Sequence, residues 1–455
     1  AVSIMGTEMG LRVCAIEKHK VGGECMNVGC IPSKALLRMA KYRHLYGKLG
    51  AMELEAGEQP RVLRPFARIQ GHLRYISEQK TMRMFEKVKM VYQEGPAAFV
   101  DPHTVEVAGK RYAGRRLFLC VGTRPEVPPL AGMGEVDYLT NETMFSLERV
   151  PGSLLVLGGG AIACEMAQAF SRLGSAVTMV IRGPRLMWRE DQDTTNLLEK
   201  TFEGEGIRIL RQQKPVRFWR EGGLSVMGTD KGERVSAEKV LVAAGRQMDY
   251  AALQLEKAGV AVEKSGAIAV NRYLQTSQGH IYAVGDCNGY AQLSHAAMHQ
   301  GMLAIMNSMM PWPLKRRFQD YAVPWTVFTE PQISQVGMRQ TELDEKGTAY
   351  EVVRANYGDY GAAIAEGVEA GFVKVFVSQA GRIYGVYIAG EGSGEMINEW
   401  ALAVQNRLRM HKIMMQQHSF PTMGFLSKRA AETWMMNRMK SGAVKKLCRW
   451  MFRLF

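Results

Sequence analysis

The chain has 455 residues, 47% of them hydrophobic and 22% charged, and its formal net charge is +14. That length predicts two or three domains, and no apolar run reaches the roughly 18 residues that a membrane-spanning helix needs. The excess of positive charge, taken alone, would suit a protein that binds nucleic acid. No zinc-finger, helix-turn-helix or ribonucleoprotein pattern accompanies it, so we predict no nucleic-acid partner.

The start of the chain and its cysteines indicate the compartment. Glu8, Arg12 and Glu17 interrupt any segment that would resemble a signal peptide. The seven cysteines are scattered apart from one pair, Cys25 and Cys30, which argues against a secreted disulfide framework. We therefore predict a cytoplasmic protein.

Short apolar runs separated by glycine turns predict alternating strands and helices. A first strand at 11–17 ends in Glu17, and a helix follows from about Cys25 through Tyr46. Further strands are predicted at 116–122, 153–157, 176–181, 239–245, 281–285, 323–330 and 371–377, with helices from the glycine turn at 158–160 through Arg172 and over 395–408. Strand, turn, helix and strand within 153–181 form a βαβ unit, which implies a parallel sheet.

The turn Gly158-x-Gly160-x-x-Ala163 stands between a predicted strand and a predicted helix. Its first glycine allows a tight turn, its second lets the backbone approach a pyrophosphate, and its small third residue permits close helix packing. This context predicts a dinucleotide site, and the alternative is a turn that serves packing alone. The next strand ends at Arg182, where NAD sites commonly have an acid. Arg182, with Arg185 nearby, favours NADPH, and NADH is the alternative if Arg182 is only a solvated turn residue.

The stretch 22–34 reads GGECMNVGCIPSK and contains Cys25 and Cys30. Two cysteines with this spacing at a helix start can form a strained, accessible disulfide, and the helix N-terminus lowers the pKa of a thiol. Such a pair can take two electrons from a flavin and pass them on. The alternative is two buried structural thiols.

With its later motifs, the chain resembles the flavoprotein disulfide reductases, the family of lipoamide dehydrogenase, glutathione reductase and mercuric reductase. The motifs follow in the family's order: VLGGGAIACE, AAGR, IYAVGDC, QLSHAAMHQG, VPWTVFTEPQISQVG and GRIYGVYIAGEGSGEMINEWALA. VTMVIRGPRLMWRED is most similar to the mercuric reductase branch. The resemblance implies an α/β protein with two doubly wound, Rossmann-like dinucleotide-binding domains and an α+β dimerisation domain. It also implies FAD, NAD(P)H, a homodimer and a small-molecule electron acceptor.

The resemblance also implies roles by position. Cys25 would be the interchange thiol that meets the acceptor, and Cys30 the charge-transfer thiol beside the flavin. Lys34 and Glu165 would form an ion pair near the flavin's reactive nitrogen. The residues implied in FAD binding are Glu17, Gly23, Lys34, Ala97, Gly122, Asp286 and Ser294, and those implied in NADP binding are Gly158, Gly160, Ala163, Arg182 and Gly245. His295 is interpreted as structural, and no metal site is predicted.

The FAD-binding domain is predicted to consist of two separate stretches of sequence, with the NAD(P)-binding domain between them. Its first part covers 1–128, without the N-terminal strand and glycine motif that the family pattern would have upstream, and its second part covers 266–320. The NAD(P)-binding domain covers 129–265, the dimerisation domain 321–433, and a basic amphipathic tail 434–455.

The chain departs from the family pattern near its C-terminus. Members of the family have a His-Pro-Thr segment with a glutamate five residues after the histidine, and the histidine shuttles a proton for the interchange thiol. Phe420 and Phe425 occupy those two positions, while His418 lies two residues earlier. We therefore expect an atypical acceptor and slow turnover of small disulfides. The sequence also argues against mercury reduction. Mercuric reductases have a further cysteine pair near the C-terminus that delivers the ion, whereas this part of the chain has one cysteine, Cys448.

The residues after Glu432 include no acid, and the apolar positions Leu447, Trp450, Met451 and Leu454 fall on one helical face. This composition is typical of a helix on an anionic membrane surface, and the alternative is a helix packed on its own dimer. The leading hypothesis is an FAD-dependent NAD(P)H oxidoreductase. The second is a redox-sensing or membrane-peripheral flavoprotein that kept the fold and lost efficient disulfide turnover.

Overall fold

The computed structural model of the protein describes residues 1–55 and 57–454. The chain divides into two units, each assembled from separate stretches of sequence. The first contains Ala1–Gly158, Arg172–Val177 and Pro215–Tyr321, and the second contains Gly159–Ser171, Thr178–Lys214 and the described residues from Ala322 onward.

The helices are numbered in chain order. They are α1 (Val2–Glu8), α2 (Gly23–Asn27), α3 (Cys30–Tyr46), α4 (Pro65–Ile76), α5 (Met82–Met84), α6 (Ala161–Arg172), α7 (Gln192–Gly204), α8 (Ser294–Met309), α9 (Gln340–Glu345), α10 (Gly361–Ala365), α11 (Ser393–Gln405), α12 (Met410–Met415), α13 (Phe425–Met439) and α14 (Gly442–Leu454). Among the described residues, none of these helices combines the length and the apolar character that crossing a bilayer requires.

The strands are numbered in the same way. They are β1 (Cys14–Glu17), β2 (Lys89–Tyr92), β3 (Ala98–Asp101), β4 (Thr104–Val107), β5 (Lys110–Ala113), β6 (Leu117–Leu119), β7 (Arg124–Pro125), β8 (Tyr138–Leu139), β9 (Ser153–Leu157), β10 (Ala176–Val180), β11 (Arg208–Leu210), β12 (Pro215–Glu221), β13 (Leu224–Thr229), β14 (Arg234–Ala237), β15 (Lys239–Val242), β16 (Arg246–Gln247), β17 (Ile281–Ala283), β18 (Trp325–Val327), β19 (Ile333–Gly337), β20 (Glu351–Asn356), β21 (Phe372–Val377) and β22 (Ile383–Ala389).

Parallel pairing characterises the predicted buried strands of the first unit. β1 pairs with β2, β6 pairs with β17, and β15 pairs with both β8 and β9. The antiparallel sheets β3-β4-β5 and β12-β13-β14 lie in the same unit. Phe99, Ile281 and Ala283 are fully buried in one shared core, which stabilises the strand ends that lead to the predicted FAD residues.

The second unit combines a short parallel pair, β10 with β11, and a five-stranded antiparallel sheet in the order β18-β19-β22-β21-β20. Every residue of β21 is buried, as expected for a strand covered on both faces. Trp400 of α11 lies in the core beside this sheet, and its indole Nε1 donates a hydrogen bond to Ser427 Oγ of α13 at 3.0 Å. This bond satisfies the one polar group of an otherwise apolar side chain.

One predicted helix is two helices in the structure. The expected helix from Cys25 through Tyr46 is broken between α2 and α3, because Gly29 has φ −123° and ψ −107°, outside the helical region. A Cβ on Gly29 would lie 3.1 Å from the carbonyl oxygen of Glu24 and 3.2 Å from Cα of Cys25. This close backbone approach favours glycine, and it makes Cys30 the first residue of a new helix.

Candidate active site

The two cysteines of the 22–34 stretch lie near the starts of consecutive helices. Cys25 is in the first turn of α2, and Cys30 begins α3. Both are thiols, and both are half-buried. The Sγ of Cys30 lies 3.3 Å from the Oγ of Ser294, the first residue of α8. The structure therefore brings the predicted cysteine pair and Ser294 to one site.

The two thiols have opposite pKa shifts. A hydrogen bond with the Cys30 thiol lowers the pKa of Cys25 to about 6, and smaller contributions come from the Ser294 hydroxyl, the Cys30 backbone N–H and the charge of Lys34. The same hydrogen bond, together with burial, raises the pKa of Cys30. Near neutral pH the pair thus holds a thiolate on Cys25 and a thiol donor on Cys30. A thiolate is the nucleophilic form of cysteine, so Cys25 is suited to attack an acceptor.

The buried thiols elsewhere in the chain have a different environment. Burial raises the pKa of Cys287 to about 12 and also raises that of Cys164. The described part of the chain contains no group of three or more His, Cys, Asp or Glu side chains placed to hold a metal ion. Compared with Cys287 and Cys164, Cys25 differs in having a lowered pKa.

Glu24, next to Cys25, makes an ion pair that no local sequence pattern indicates. Arg246 donates from Nη1 to Glu24 Oε1 at 2.6 Å and from Nη2 to Glu24 Oε2. Asn141 donates to the same carboxylate. Arg246 also donates from Nε to the Thr123 hydroxyl at 2.9 Å and from Nη2 to the Thr123 carbonyl at 3.0 Å. With its side chain only 14% exposed, Arg246 holds the residue before Cys25 in a fixed place.

The Thr123 hydroxyl extends this network to the predicted flavin residues. It donates to Asp286 Oδ2 at 3.4 Å, while burial raises the pKa of Asp286 against the opposing charge of Arg246. The carbonyl oxygen of Gly122 accepts a hydrogen bond from the Tyr250 hydroxyl at 3.1 Å. Arg246 and Thr123 therefore link the cysteine segment to Asp286 within the first unit.

Other predicted FAD residues leave backbone open to a ligand. Gly23 and Gly122 have φ +62° and +64°, and a Cβ on either would meet no atom within 4 Å. Glu17 ends β1 and accepts the His19 N–H at 2.8 Å, and Ala97 immediately precedes β3. Open glycine backbone suits the phosphates of a flavin nucleotide, and a carboxylate such as that of Glu17 suits its hydroxyl groups.

The predicted NADP turn has the geometry that its glycines suggested. Gly158 has φ +119°, and a Cβ there would lie 2.2 Å from the Ala243 carbonyl oxygen, so the close approach requires glycine. A Cβ on Gly160 would meet nothing within 4 Å, which leaves room for a pyrophosphate at the start of α6. Ala163 is fully buried in that helix. Gly245 has φ +157°, in the range that favours glycine.

The two arginines after β10 are not equivalent. Arg185 donates from Nε to Thr195 Oγ1 at 2.9 Å and from Nη2 to the Glu190 carbonyl at 3.2 Å. Arg182 is exposed. The guanidinium of Arg185 is thus committed to its own loop and to the first turn of α7, and Arg182 alone carries the prediction of a 2′-phosphate contact.

Lys34 and Glu165 lie in different units. Lys34 follows Cys30 by one turn of α3, and its charge contributes to the lowered pKa of Cys25. Glu165 is buried in α6 and accepts the backbone N–H of Phe328 at 2.9 Å. Their ion pair stays a prediction.

An aromatic cluster occupies the positions where the family pattern has its acid–base dyad. Phe425 stacks on Tyr360 with ring centroids 6.0 Å apart, and Phe420 contacts Phe425 edge-on at 5.3 Å. Phe420 is 68% exposed. His418 Nε2 lies 2.8 Å from Glu399 Oε1, and its side chain is only 7% exposed. The exposed side chain at these positions is therefore the phenyl ring of Phe420, whereas His418 is held inward by the carboxylate of Glu399.

Comparison with known proteins places the chain in a family. The pyridine nucleotide-disulphide oxidoreductase family matches residues 3–301, and its dimerisation domain matches residues 323–430. The chain is 33% identical over 439 residues to a dihydrolipoyl dehydrogenase of Thermus scotoductus, covering 94% of each. It is 32% identical over 446 residues to a mercuric reductase of Acidithiobacillus ferrooxidans, covering 95% of this chain and 80% of that one.

Solved structures show the same fold. The HOCl-induced flavoprotein disulfide reductase RclA of Escherichia coli matches with a TM-score of 0.84 over 96% of both chains, at 24% identity. LpdA of Mycobacterium tuberculosis matches with a TM-score of 0.85 over 95% of both, also at 24% identity. The predicted fold class is confirmed, and the dimerisation domain supports the predicted homodimer. The chain belongs to the pyridine nucleotide-disulphide oxidoreductases, enzymes that are FAD-dependent and use NAD(P)H.

Proposed function

We propose that the protein uses NADPH to reduce, through Cys25 and Cys30, a small-molecule acceptor other than an ordinary disulfide. The observation that carries this proposal is the aromatic cluster, in which an exposed Phe420 occupies the position of the family's proton-shuttling histidine. A disulfide acceptor releases a thiolate that needs a proton, and a positioned acid–base is worth about 10²–10⁴ in rate. A metal ion or a quinone releases no such thiolate.

The proposed roles follow from the contacts of each residue. Cys25, with its lowered pKa, would attack the acceptor, and Cys30, whose Sγ lies 3.3 Å from the Ser294 hydroxyl, would be the thiol beside bound FAD. When bound, FAD supplies two-electron transfer between the nicotinamide and the cysteine pair. Lys34 and Glu165 are proposed, as the resemblance implies, as the charged pair that would favour the reduced flavin. The residues proposed to hold FAD are Glu17, Gly23, Lys34, Ala97, Gly122, Asp286 and Ser294, and those proposed to hold NADPH are Gly158, Gly160, Ala163, Arg182 and Gly245.

The choice of NADPH over NADH depends on Arg182. Its guanidinium is exposed beyond β10, where an acid would repel a 2′-phosphate and an arginine attracts one. We propose the domain division as predicted, with the NAD(P)-binding domain at 129–265 between the two parts of the FAD-binding domain and the dimerisation domain at 321–433. A cytoplasmic location is part of the same proposal.

Steady-state turnover of the holoenzyme with a panel of acceptors tests the proposal. We expect quinones or metal ions to be reduced faster than glutathione disulfide or lipoamide. Replacing Phe420→His together with Phe425→Glu should raise disulfide turnover by on the order of tenfold or more, because the pair restores an acid–base. Phe420→Leu is the matched control, since it keeps the site apolar and should not raise disulfide turnover. Efficient reduction of either disulfide by the unaltered enzyme would refute the proposal.

A second candidate function is a membrane-peripheral or redox-sensing flavoprotein. The observation that favours it is α14, whose Trp450 is 60% exposed and whose Leu447, Met451 and Leu454 are also exposed. A version ending at Ala443 should be retained less by anionic vesicles than the full chain, and equal retention would contradict membrane contact.

Anaerobic titration with NADPH distinguishes an enzyme from a redox-sensing flavoprotein. Flavin reduction without turnover of any acceptor in the panel would favour the sensor.

A further inference from the structure

A second apolar and basic surface lies in the first unit, at the last residue of α8 and in the segment that follows it. In this 309–317 loop, Trp312 is 75% exposed and Leu314 is 63% exposed, and Met309 and Met310 are exposed beside them. Lys315, Arg316 and Arg317 follow directly, and no acid occurs between residues 309 and 319. Large apolar side chains grouped on a surface mark an interaction site more often than single exposed ones do.

The base of the loop is firmly anchored. Buried Asn307 accepts the Arg316 N–H at 2.8 Å and donates to the Arg316 carbonyl at 2.9 Å. Phe318 is buried, its N–H donates to the Arg272 carbonyl at 3.2 Å, and its ring contacts Tyr290 edge-on at 4.7 Å. These contacts fix both ends of the segment that presents Trp312. The exposure of the indole is therefore a property of an ordered loop.

The chemistry of the loop fits an anionic lipid surface. Tryptophan prefers the headgroup region of a bilayer because its ring is apolar and its indole N–H is polar. Arginine and lysine beside it are attracted to negatively charged headgroups. The same combination of Trp, Leu and Met with basic residues and no acid recurs in α14 of the second unit. Two elements far apart in sequence thus both combine apolar side chains with a net positive charge.

We propose that the 309–317 loop is a membrane-contact element, in which Trp312 and Leu314 enter the headgroup region of an anionic bilayer while Lys315, Arg316 and Arg317 pair with lipid phosphates. The inference extends the membrane contact proposed for α14, but it is carried by the loop's own residues. It makes the enzyme's attachment depend on two separate segments.

The test is sedimentation of the holoenzyme with vesicles of equal parts phosphatidylglycerol and phosphatidylcholine, and with vesicles of phosphatidylcholine alone. Two double variants probe the loop: Trp312→Ala with Leu314→Ala, and Arg316→Glu with Arg317→Glu. Arg115→Glu with Arg116→Glu is the matched charge control, because these two arginines are exposed outside both elements. Flavin absorbance and NADPH oxidation verify that each variant is folded.

We expect each loop variant to weaken binding to the anionic vesicles by about tenfold or more, and the Arg115 and Arg116 control to change it by less than the loop variants do. Combining a loop variant with the version ending at Ala443 should remove the remaining binding. Loop variants that bind like the unaltered enzyme would overturn the inference, even where removal of α14 abolishes binding and the earlier proposal stands. An unaltered enzyme that does not bind the anionic vesicles would refute both. A loop variant that changes the oligomeric state instead would assign the loop to a protein contact and overturn the inference.

Discussion

Replacing Cys30 with alanine should raise the pKa of Cys25, because the Cys30 thiol is the largest source of its stabilisation. The pKa of Cys25 is lowered from 9.0 to about 6, and burial opposes the lowering. Without the Cys30 thiol, the Ser294 hydroxyl, the backbone N–H of residue 30 and the charge of Lys34 still stabilise the Cys25 thiolate. We therefore expect the pKa of Cys25 in Cys30→Ala to lie above about 7.5, between the lowered value of about 6 and the ordinary value of 9.0.

The reaction rate of Cys25 at a single pH does not reveal this change in its pKa. At pH 7 a thiol of pKa about 6 is about 90% ionised, whereas one of pKa about 8 is about 10% ionised. The thiolate of higher pKa is also the better nucleophile, by a Brønsted coefficient of about 0.4–0.5, so a shift of about two units returns most of the lost rate. The rate at pH 7 should thus change little. The diagnostic quantity is the pH at which the rate is half-maximal.

The assay is thiopyridone release from a pyridyl disulfide by the reduced holoenzyme between pH 5 and pH 9. Exposed Cys14, Cys120 and Cys448 are first replaced by serine so that they do not react. With Cys30 present, the rate should rise through pH 6 and level off above pH 7, because the reactive thiolate forms as the pH passes the lowered pKa. In Cys30→Ala the rise should move upward by more than one pH unit. A profile with the same midpoint in both proteins would refute the assignment of the Cys30 thiol as the donor.

Three further changes test other parts of the site. Gly158→Ala places a Cβ 2.2 Å from the Ala243 carbonyl oxygen and should yield little folded protein, whereas Gly160→Ala should fold and lose affinity for NADPH, as measured by thermal melting and coenzyme titration. Arg182→Asp should lower the ratio of kcat/KM for NADPH to that for NADH by on the order of tenfold or more, through loss of a charge-assisted contact. Glu24→Gln removes the ion pair with Arg246 and should lower the free energy of unfolding by about 2 kcal/mol, as measured by urea denaturation.

The last of these changes has a matched control in Asp137→Asn. Lys239 pairs with Asp137 at 2.6 Å, but the Asp137 side chain is well exposed, so its loss should cost less than about 1 kcal/mol. Equal destabilisation by the two substitutions would contradict a special contribution from Glu24. Undiminished NADPH affinity in Gly160→Ala, or an unchanged coenzyme ratio in Arg182→Asp, would remove those residues from the proposed nucleotide site.

The sequence correctly predicted those helices and strands whose ends are marked by neighbouring residues in the chain. β9 coincides with the predicted strand at 153–157, and α6 ends at Arg172 as predicted, because a buried apolar run and a glycine turn mark the junction between them. The predicted strands at 116–122 and 239–245 extend further than β6 and β15. Their apolar composition continues past the last paired residue into loops that carry Gly122 and Gly245.

The site was predictable where its residues adjoin in sequence. Cys25 and Cys30 stand in one stretch, so their spacing alone indicates that they act together. Glu24 and Arg246 are 222 positions apart, and only folding brings their charges together. The helix break at Gly29 depends on a close backbone approach that no residue propensity expresses. Long-range pairing and backbone geometry therefore account for what local patterns miss.

Cys25 and Cys30 leave the ribosome well before the arginine that holds their segment. At about 5–20 residues per second, the 222 positions between Glu24 and Arg246 correspond to a delay on the order of 10–40 seconds. During that interval Glu24, the residue before Cys25, lacks its Arg246 partner. The contact that fixes the residue before Cys25 therefore cannot form until synthesis has passed residue 246.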